Sequence, residues 1–236
     1  MIKHLAKFIL YIFDYISQKK LLGILKKKFK SNIGIVIDVG AHHGETIFFL
    51  CKNFKFNFIY AFEPNFESYQ ILKIKLNTLG KKIILTNKGV GKKNEKKFLI
   101  ESTDSASATY CNLKKNSKYL KKKKFFFNFS KIKKNKTELC NLATFMVEKK
   151  INKINYLKTD TEGYELNVLK GLGRYIKNVK LIHFEHHYDD MYNKNYTFHD
   201  INTYLLKNNF KKIYRLKMFF RKSFEYIYEN SKYQKN

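Results

Sequence analysis

Ile33-Gly34-Ile35-Val36-Ile37-Asp38-Val39 is a nearly unbroken apolar run with no alternation, as in a strand buried on both faces of a parallel sheet. Gly40-Ala41-His42-His43-Gly44-Glu45 follows at once, a glycine turn leading into a helix. A second apolar segment, about Phe56 to Phe62, also ends in an acid, Glu63-Pro64. Strand, glycine turn, helix and acid-ended strand together make the layout of a nucleoside-cofactor pocket. The chain is thereby directed toward an open α/β sheet with its ligand loops at the carboxyl ends of the strands.

The rest of the chain keeps that rhythm. Pro64-Asn65 reads as a stop and a cap for a helix through Leu76, which Gly80 ends; Ile83-Ile84-Leu85 is a strand, and Gly89-Val90-Gly91 a turn. Lys96–Glu101 can return as a short strand. Residues 102–138 read as an insertion or cap, with a loop over 102–109 and the lysine runs 121–124 and 131–134 flanking an exposed Phe125-Phe126-Phe127. A helix near Leu142–Lys149, a strand at Ile154–Thr159, a helix from Tyr164 and a strand at Lys180–His186 continue the alternation. Thr197 caps a helix through Asn208, and Lys211–Leu216 with Ser223–Tyr228 form a closing antiparallel pair. Alternating elements with short connections imply a doubly wound, mostly parallel sheet over residues 31–236.

Residues 1–30 form a separate extension. Projected as a helix, Lys3, His4, Lys7, Tyr11, Asp14 and Gln18 share one narrow arc and apolar residues fill the remainder. Lys7 and Asp14 break the apolar run too early for a membrane span, and no cleavage site of a signal peptide follows. This amphipathic helix packs on the domain or on a second subunit, or makes a peripheral contact with an anionic membrane aided by Lys26-Lys27-Lys28.

Lys and Arg number 48 against 19 acids, a net charge of +29 in 236 residues. Only Arg174, Arg215 and Arg221 are arginine, and the chain is rich in Asn, Ile, Phe and Tyr with one Pro and no Trp. That bias fits AT-rich coding and a solvated surface better than sequence-specific nucleic-acid recognition, which leans on the bidentate guanidinium. Cys51, Cys111 and Cys140 are isolated, with neither zinc nor disulfide spacing, so a reducing cytoplasm is expected.

Asp38 discriminates between cofactors. In a dinucleotide site the pyrophosphate would lie against the first turn, and two like charges about 4 Å apart cost about 4 kcal/mol at an effective dielectric near 20. His42 also occupies the second glycine position of Gly-x-Gly-x-x-Gly. S-adenosylmethionine reverses the sign, because its ammonium and sulfonium are cations that Asp38 attracts. Gly40 then lets the backbone approach, the amides near Gly44 and Glu45 face the carboxylate, and Glu63 accepts the ribose hydroxyls.

Asp38-Val39-Gly40-Ala41-x-x-Gly44, Phe62-Glu63-Pro64, Asn87-x-Gly89-Val90-Gly91 and Lys158-Thr159-Asp160-Thr161-Glu162-Gly163-Tyr164-Glu165, with Leu169-Lys170-Gly171 beyond, resemble the FkbM family of S-adenosylmethionine-dependent methyltransferases. The resemblance covers about residues 33 to 228. It implies a class I, Rossmann-like, seven-stranded sheet, cofactor contacts from Asp38, Gly40, His42, Gly44, Glu45, Glu63 and Asn87, and O-methylation of a glycan or small-molecule acceptor. The chain departs from the family pattern at His42, where Asn is usual, and at Leu142-Ala143, where Leu-Asp is usual. The first departure is expected to retune contacts at the methionine end.

Alternation along Ile154–Thr159 sets Tyr156, Lys158 and Asp160 on one side, with Asp160 at the cleft end. Methyl transfer is an in-line displacement that needs a positioned acceptor oxygen and a group to take its proton. Asp160 is the first candidate, and His186 or His187 at the next strand end the second. Glu162, Glu165 and, in the 102–109 loop, Asp104 and Ser105 are expected to order the loop or touch the acceptor. The histidines lack zinc-helix spacing, and no metal is expected. An RNA methyltransferase, or a cofactor-binding scaffold without turnover, remains the rival reading.

Overall fold

The apolar run at residues 33–39 lies inside the sheet, next to its middle strand. In the computed structural model, which describes residues 2–80, 82–102, 108–126, 132–218 and 222–234, β1 (Asn32–Val39) has β2 (Lys55–Phe62) on one side and β8 (Ile154–Thr159) on the other, both parallel to it. The seven-stranded order is β11-β12-β9-β8-β1-β2-β3, with β3 Ile83–Thr86, β9 Val179–His187, β11 Phe210–Lys217 and β12 Ser223–Asn230. β12 runs antiparallel to both β9 and β11, and the other pairings are parallel. The chain winds outward from β1 to β3, then returns to β8 on the far side. The reversal places a crevice at the carboxyl ends of β1 and β8, where open α/β sheets bind ligands.

Alternate residues feed two cores. Val36, Ile59, Tyr156, Leu181 and Ile227 face α1 (Ile2–Phe29), α2 (Glu45–Asn53) and α3 (Phe66–Leu76), joined by Leu25, Ile47 and Leu72. Ile37, Val39, Leu157, Ile182 and Phe184 face α5 (Leu142–Glu148), α6 (Glu165–Lys170) and α7 (Phe198–Lys207). Helix starts follow local chemistry: Asn65 accepts from the Ser68 amide at 2.8 Å, and Thr197 with Asp200 makes a capping box. The second half of α1 packs inward through Leu25 and Phe29, and Lys28 pairs with the buried Glu229 at 2.6 Å. Among the described residues no helix is long and apolar enough to cross a membrane.

The largest departure from the sequence reading lies between residues 89 and 141. Gly89–Gly91 is β4, a strand parallel to β7 (Ile132–Asn141), and β7 runs antiparallel to β5 (Glu95–Ser102). Most of β7 is exposed, so it buries no alternating apolar set, and its Lys and Asn content disguises a strand as a loop. β6 (Asn112–Leu113) and β10 (Tyr192–Asn193) tie the insertion to the loop after β9. α4 (Lys118–Phe126) takes in Phe125 and Phe126, while Phe127 lies outside the described residues.

Candidate active site

The site begins where β1 and β8 end side by side. Asp38 is opposite Lys158 in register, and the Asp160 amide donates to the Val39 carbonyl at 2.9 Å. Gly40 turns there with φ 82°, and a Cβ on it would lie 2.0 Å from the Asp160 carbonyl oxygen. Only glycine allows the two strand ends this approach. His42 also has a positive φ of 44°, a conformation in which both His and Asn are enriched among non-glycine residues, so the departure from Asn keeps the backbone path.

Asp38 is buried to 1% exposure, and its Oδ2 accepts no hydrogen bond from the described residues. Burial raises its pKa to about 7, against the opposing pull of the Lys158 ammonium. Glu63, at the end of β2, accepts from the His42 amide at 2.7 Å and the Asn65 amide at 2.8 Å; burial still raises it to about 7. Asn87 does not line the cleft. Its amide donates to the Glu63 carbonyl at 2.8 Å and so holds the end of β2.

A cleft of about 330 Å³ runs along these strand ends, lined by Gly40, His42, Glu45, Glu63, Asp160 and Glu162, with Glu185 deeper and Leu99, Ala108 and Tyr110 as the far wall. A buried carboxylate atom awaiting a donor, a turn too tight for any side chain, and several acids suit a cationic cofactor such as S-adenosylmethionine. His42, His43 and Glu45 each bring one potential metal-ligand atom within 4.8 Å of the others, and the His42 ring pairs with Glu45 at 3.1 Å.

The turn after β8 is held from within. Glu165 Oε1 accepts from the Thr161 amide and hydroxyl and from the Gly163 amide at 2.9–3.1 Å, while Oε2 takes the Tyr196 hydroxyl at 2.8 Å. Asp160 receives the Lys158 ammonium at 2.9 Å and remains one third exposed. Glu162, at φ 51°, accepts from the Tyr192 hydroxyl and meets His187 Nε2 at 3.3 Å.

The two histidines part company. His187 shares its face with Glu185, and Glu162, Glu185 and Asp189 surround its ring at 3.3–3.8 Å. Burial opposes its charge, but the three carboxylates prevail and raise its pKa to about 10. His186 points to the opposite face among Tyr188, Tyr196 and Phe198, away from the cleft, where burial lowers its pKa to about 3. Asp104 and Ser105 lie outside the described residues.

Tyr156 and Lys158, which alternation set on the side of Asp160 without giving them a role, join the site together with His183, Glu185 and Glu225. Tyr156 donates to or accepts from His183 Nδ1 at 2.6 Å, and His183 Nε2 lies 3.7 Å from Glu225. Alternation was the available signal for the β9 pair, since His183, Glu185 and His187 form the i, i+2, i+4 set of one face.

No curated protein matches the sequence. Among solved structures, a methyltransferase FkbM from Methylobacillus flagellatus KT superposes with a TM-score of 0.55 at 18% identity, over 84% of this chain and 44% of that one. An rRNA methylase from Streptococcus thermophilus gives 0.51 at 12% identity, over 89% and 94%. M. capricolum TrmK in complex with S-adenosyl-homocysteine gives 0.51 at 12%, over 89% and 67%. These likenesses establish a shared Rossmann-like fold, and this chain spans less than half of the FkbM structure it matches. The family model of the methyltransferase FkbM domain matches residues 38–212, from the acid of β1 to the start of β11. On that match over most of its length, the chain belongs to the FkbM methyltransferase family.

Proposed function

We propose that the protein is an S-adenosylmethionine-dependent O-methyltransferase acting on a hydroxyl of a carbohydrate, glycolipid or related small-molecule acceptor. When bound, S-adenosylmethionine supplies a methyl group activated by its sulfonium. Asp38, Gly40, His42 and Glu63 are the residues that would hold it, with the Asp38 carboxylate meeting positive charge. Asp160 lies at the open end of the cleft, oriented by Lys158, and is placed to anchor an acceptor hydroxyl and take its proton. His187, kept cationic by its three acids, acts as a fixed charge that positions Glu162 and Glu185 rather than as a base.

The supporting observation is local charge. On a chain of net charge +29, the cleft is lined by Glu45, Glu63, Asp160, Glu162 and Glu185 against the one ammonium of Lys158, and Asp38 is buried next to the lining residue Val39. Such a site attracts a cation and repels a polyanion. An RNA acceptor is favoured only by the basic surface, not by the cleft.

Calorimetry with S-adenosylhomocysteine and with NAD tests the cofactor. The homocysteine compound is expected to bind and NAD not, and Asp38→Ala should weaken binding by about 10- to 100-fold, the loss of a hydrogen bond to a charged group. NAD binding together with silence toward the homocysteine compound overturns the reading.

A further inference from the structure

Beside the cleft, a second chamber of about 240 Å³ opens beneath α1. The two share Glu45, Thr46, Lys158, Asp160 and Glu185, so they meet at the candidate base. Tyr156, His183 and Glu225 make the floor of the chamber, and Ser17, Gln18 and Leu21 make its roof. The roof is held in place because Leu25 and Phe29, one and two turns on, are buried in the sheet-facing core.

The floor is polar and incompletely joined. His183 is 1% exposed and Tyr156 engages its Nδ1, but Nε2 stands 3.7 Å from Glu225, beyond hydrogen-bond range, and has no hydrogen-bond partner among the described residues. A hydroxyl is the small group that satisfies both sides, accepting from an imidazole N–H while donating to a carboxylate. An anionic group in the same place would face Asp160, Glu185 and Glu225 against one ammonium, that of Lys158, which Asp160 already pairs. The volume falls below the roughly 300–1,000 Å³ of drug-sized sites, which suits one ring.

We propose that this chamber is the acceptor subsite, that it takes a single neutral polyhydroxylated ring, and that α1 is its roof, with Gln18, His183 and Glu225 selecting the ring. The proposal rests on the methyltransferase reading and assigns to the N-terminal helix a part in substrate recognition. His183 and Glu225 would grip one hydroxyl of the ring, leaving another to reach Asp160 where the chamber meets the cleft.

Saturation-transfer NMR on the full chain saturated with S-adenosylhomocysteine tests it, using the methyl pyranosides of glucose, galactose and mannose against glucuronic acid. At least one neutral glycoside should receive saturation and the uronic acid none. Glu225→Gln should weaken the neutral signal about tenfold, the loss of one hydrogen bond to a charged group. Gln18→Trp, at an exposed roof position outside the cofactor cleft's lining, should abolish it while calorimetric affinity for S-adenosylhomocysteine stays unchanged. Equal saturation of the uronic acid, no neutral signal, or a neutral signal indifferent to Gln18→Trp overturns the proposal. Failure of S-adenosylhomocysteine to bind the unaltered chain instead overturns the cofactor reading beneath it.

Discussion

Asp38 and Glu63 carry the pH behaviour expected of the proposed cofactor cleft. Burial raises both carboxyls to about 7, so near neutrality each is divided between its charged and neutral forms. A cationic ligand favours the ionised form of Asp38. Its affinity should therefore rise as pH increases from 6 to 8, and Asp38→Asn should flatten most of that slope in calorimetry at pH 6, 7 and 8. His187 runs in the opposite sense. Its folded pKa of about 10 exceeds the ordinary value of 6.5, so its contribution to stability is complete below about 6.5 and fades as pH rises through about 10. His187→Gln leaves buried carboxylates uncompensated, at a cost of about 3–5 kcal/mol. Thermal melts should place this variant on the order of 10 °C below the unaltered chain at pH 6, with the gap narrowing toward pH 10. The different fates of His186 and His187 were legible in principle, because neighbours on a strand point to opposite faces. What alternation alone could not show was the ring of acids, since Glu162 and Asp189 arrive from turns.

Among the elements, the buried strands were the easiest to read. Ile154–Thr159 has the bounds its apolar run predicted, and β9 differs from its expected span by one residue at each end. β7 was missed because a mostly exposed strand has no need of alternating apolar residues, and its pairing with β5 is satisfied by backbone hydrogen bonds that any sequence can make. α1 lies between these cases. Its amphipathic pattern foretold a helix, but not where its apolar face would rest. Leu25 is fully buried between α1 and the sheet, so Leu25→Ala should cost about 2–5 kcal/mol in urea denaturation. If the helix were a loose appendage, the same substitution would leave the midpoint unmoved.

At the level of the whole molecule, a strongly basic surface encloses an acidic cleft. The two charges act at different ranges: surface lysines are screened over about 8 Å at physiological salt, whereas buried acids inside the cleft are screened far less. RNA retained by this chain should therefore dissociate steeply as salt rises from 50 to 200 mM. Affinity for S-adenosylhomocysteine should change little over the same range, and filter binding beside calorimetry separates the two. By itself, the order of residues determined the parallel sheet, the glycine turn, the acid Asp38 near the end of β1 and the Asp160-Thr161-Glu162-Gly163 turn, because each is written in a short contiguous stretch with its own periodicity or spacing. Only the tertiary structure decided that Glu225 stands beside His183, that Lys158 lies opposite Asp38 and that α1 covers a chamber at the open end of the cleft. These depend on strand register and helix docking between segments far apart in sequence, and no local pattern encodes which distant partner a side chain meets.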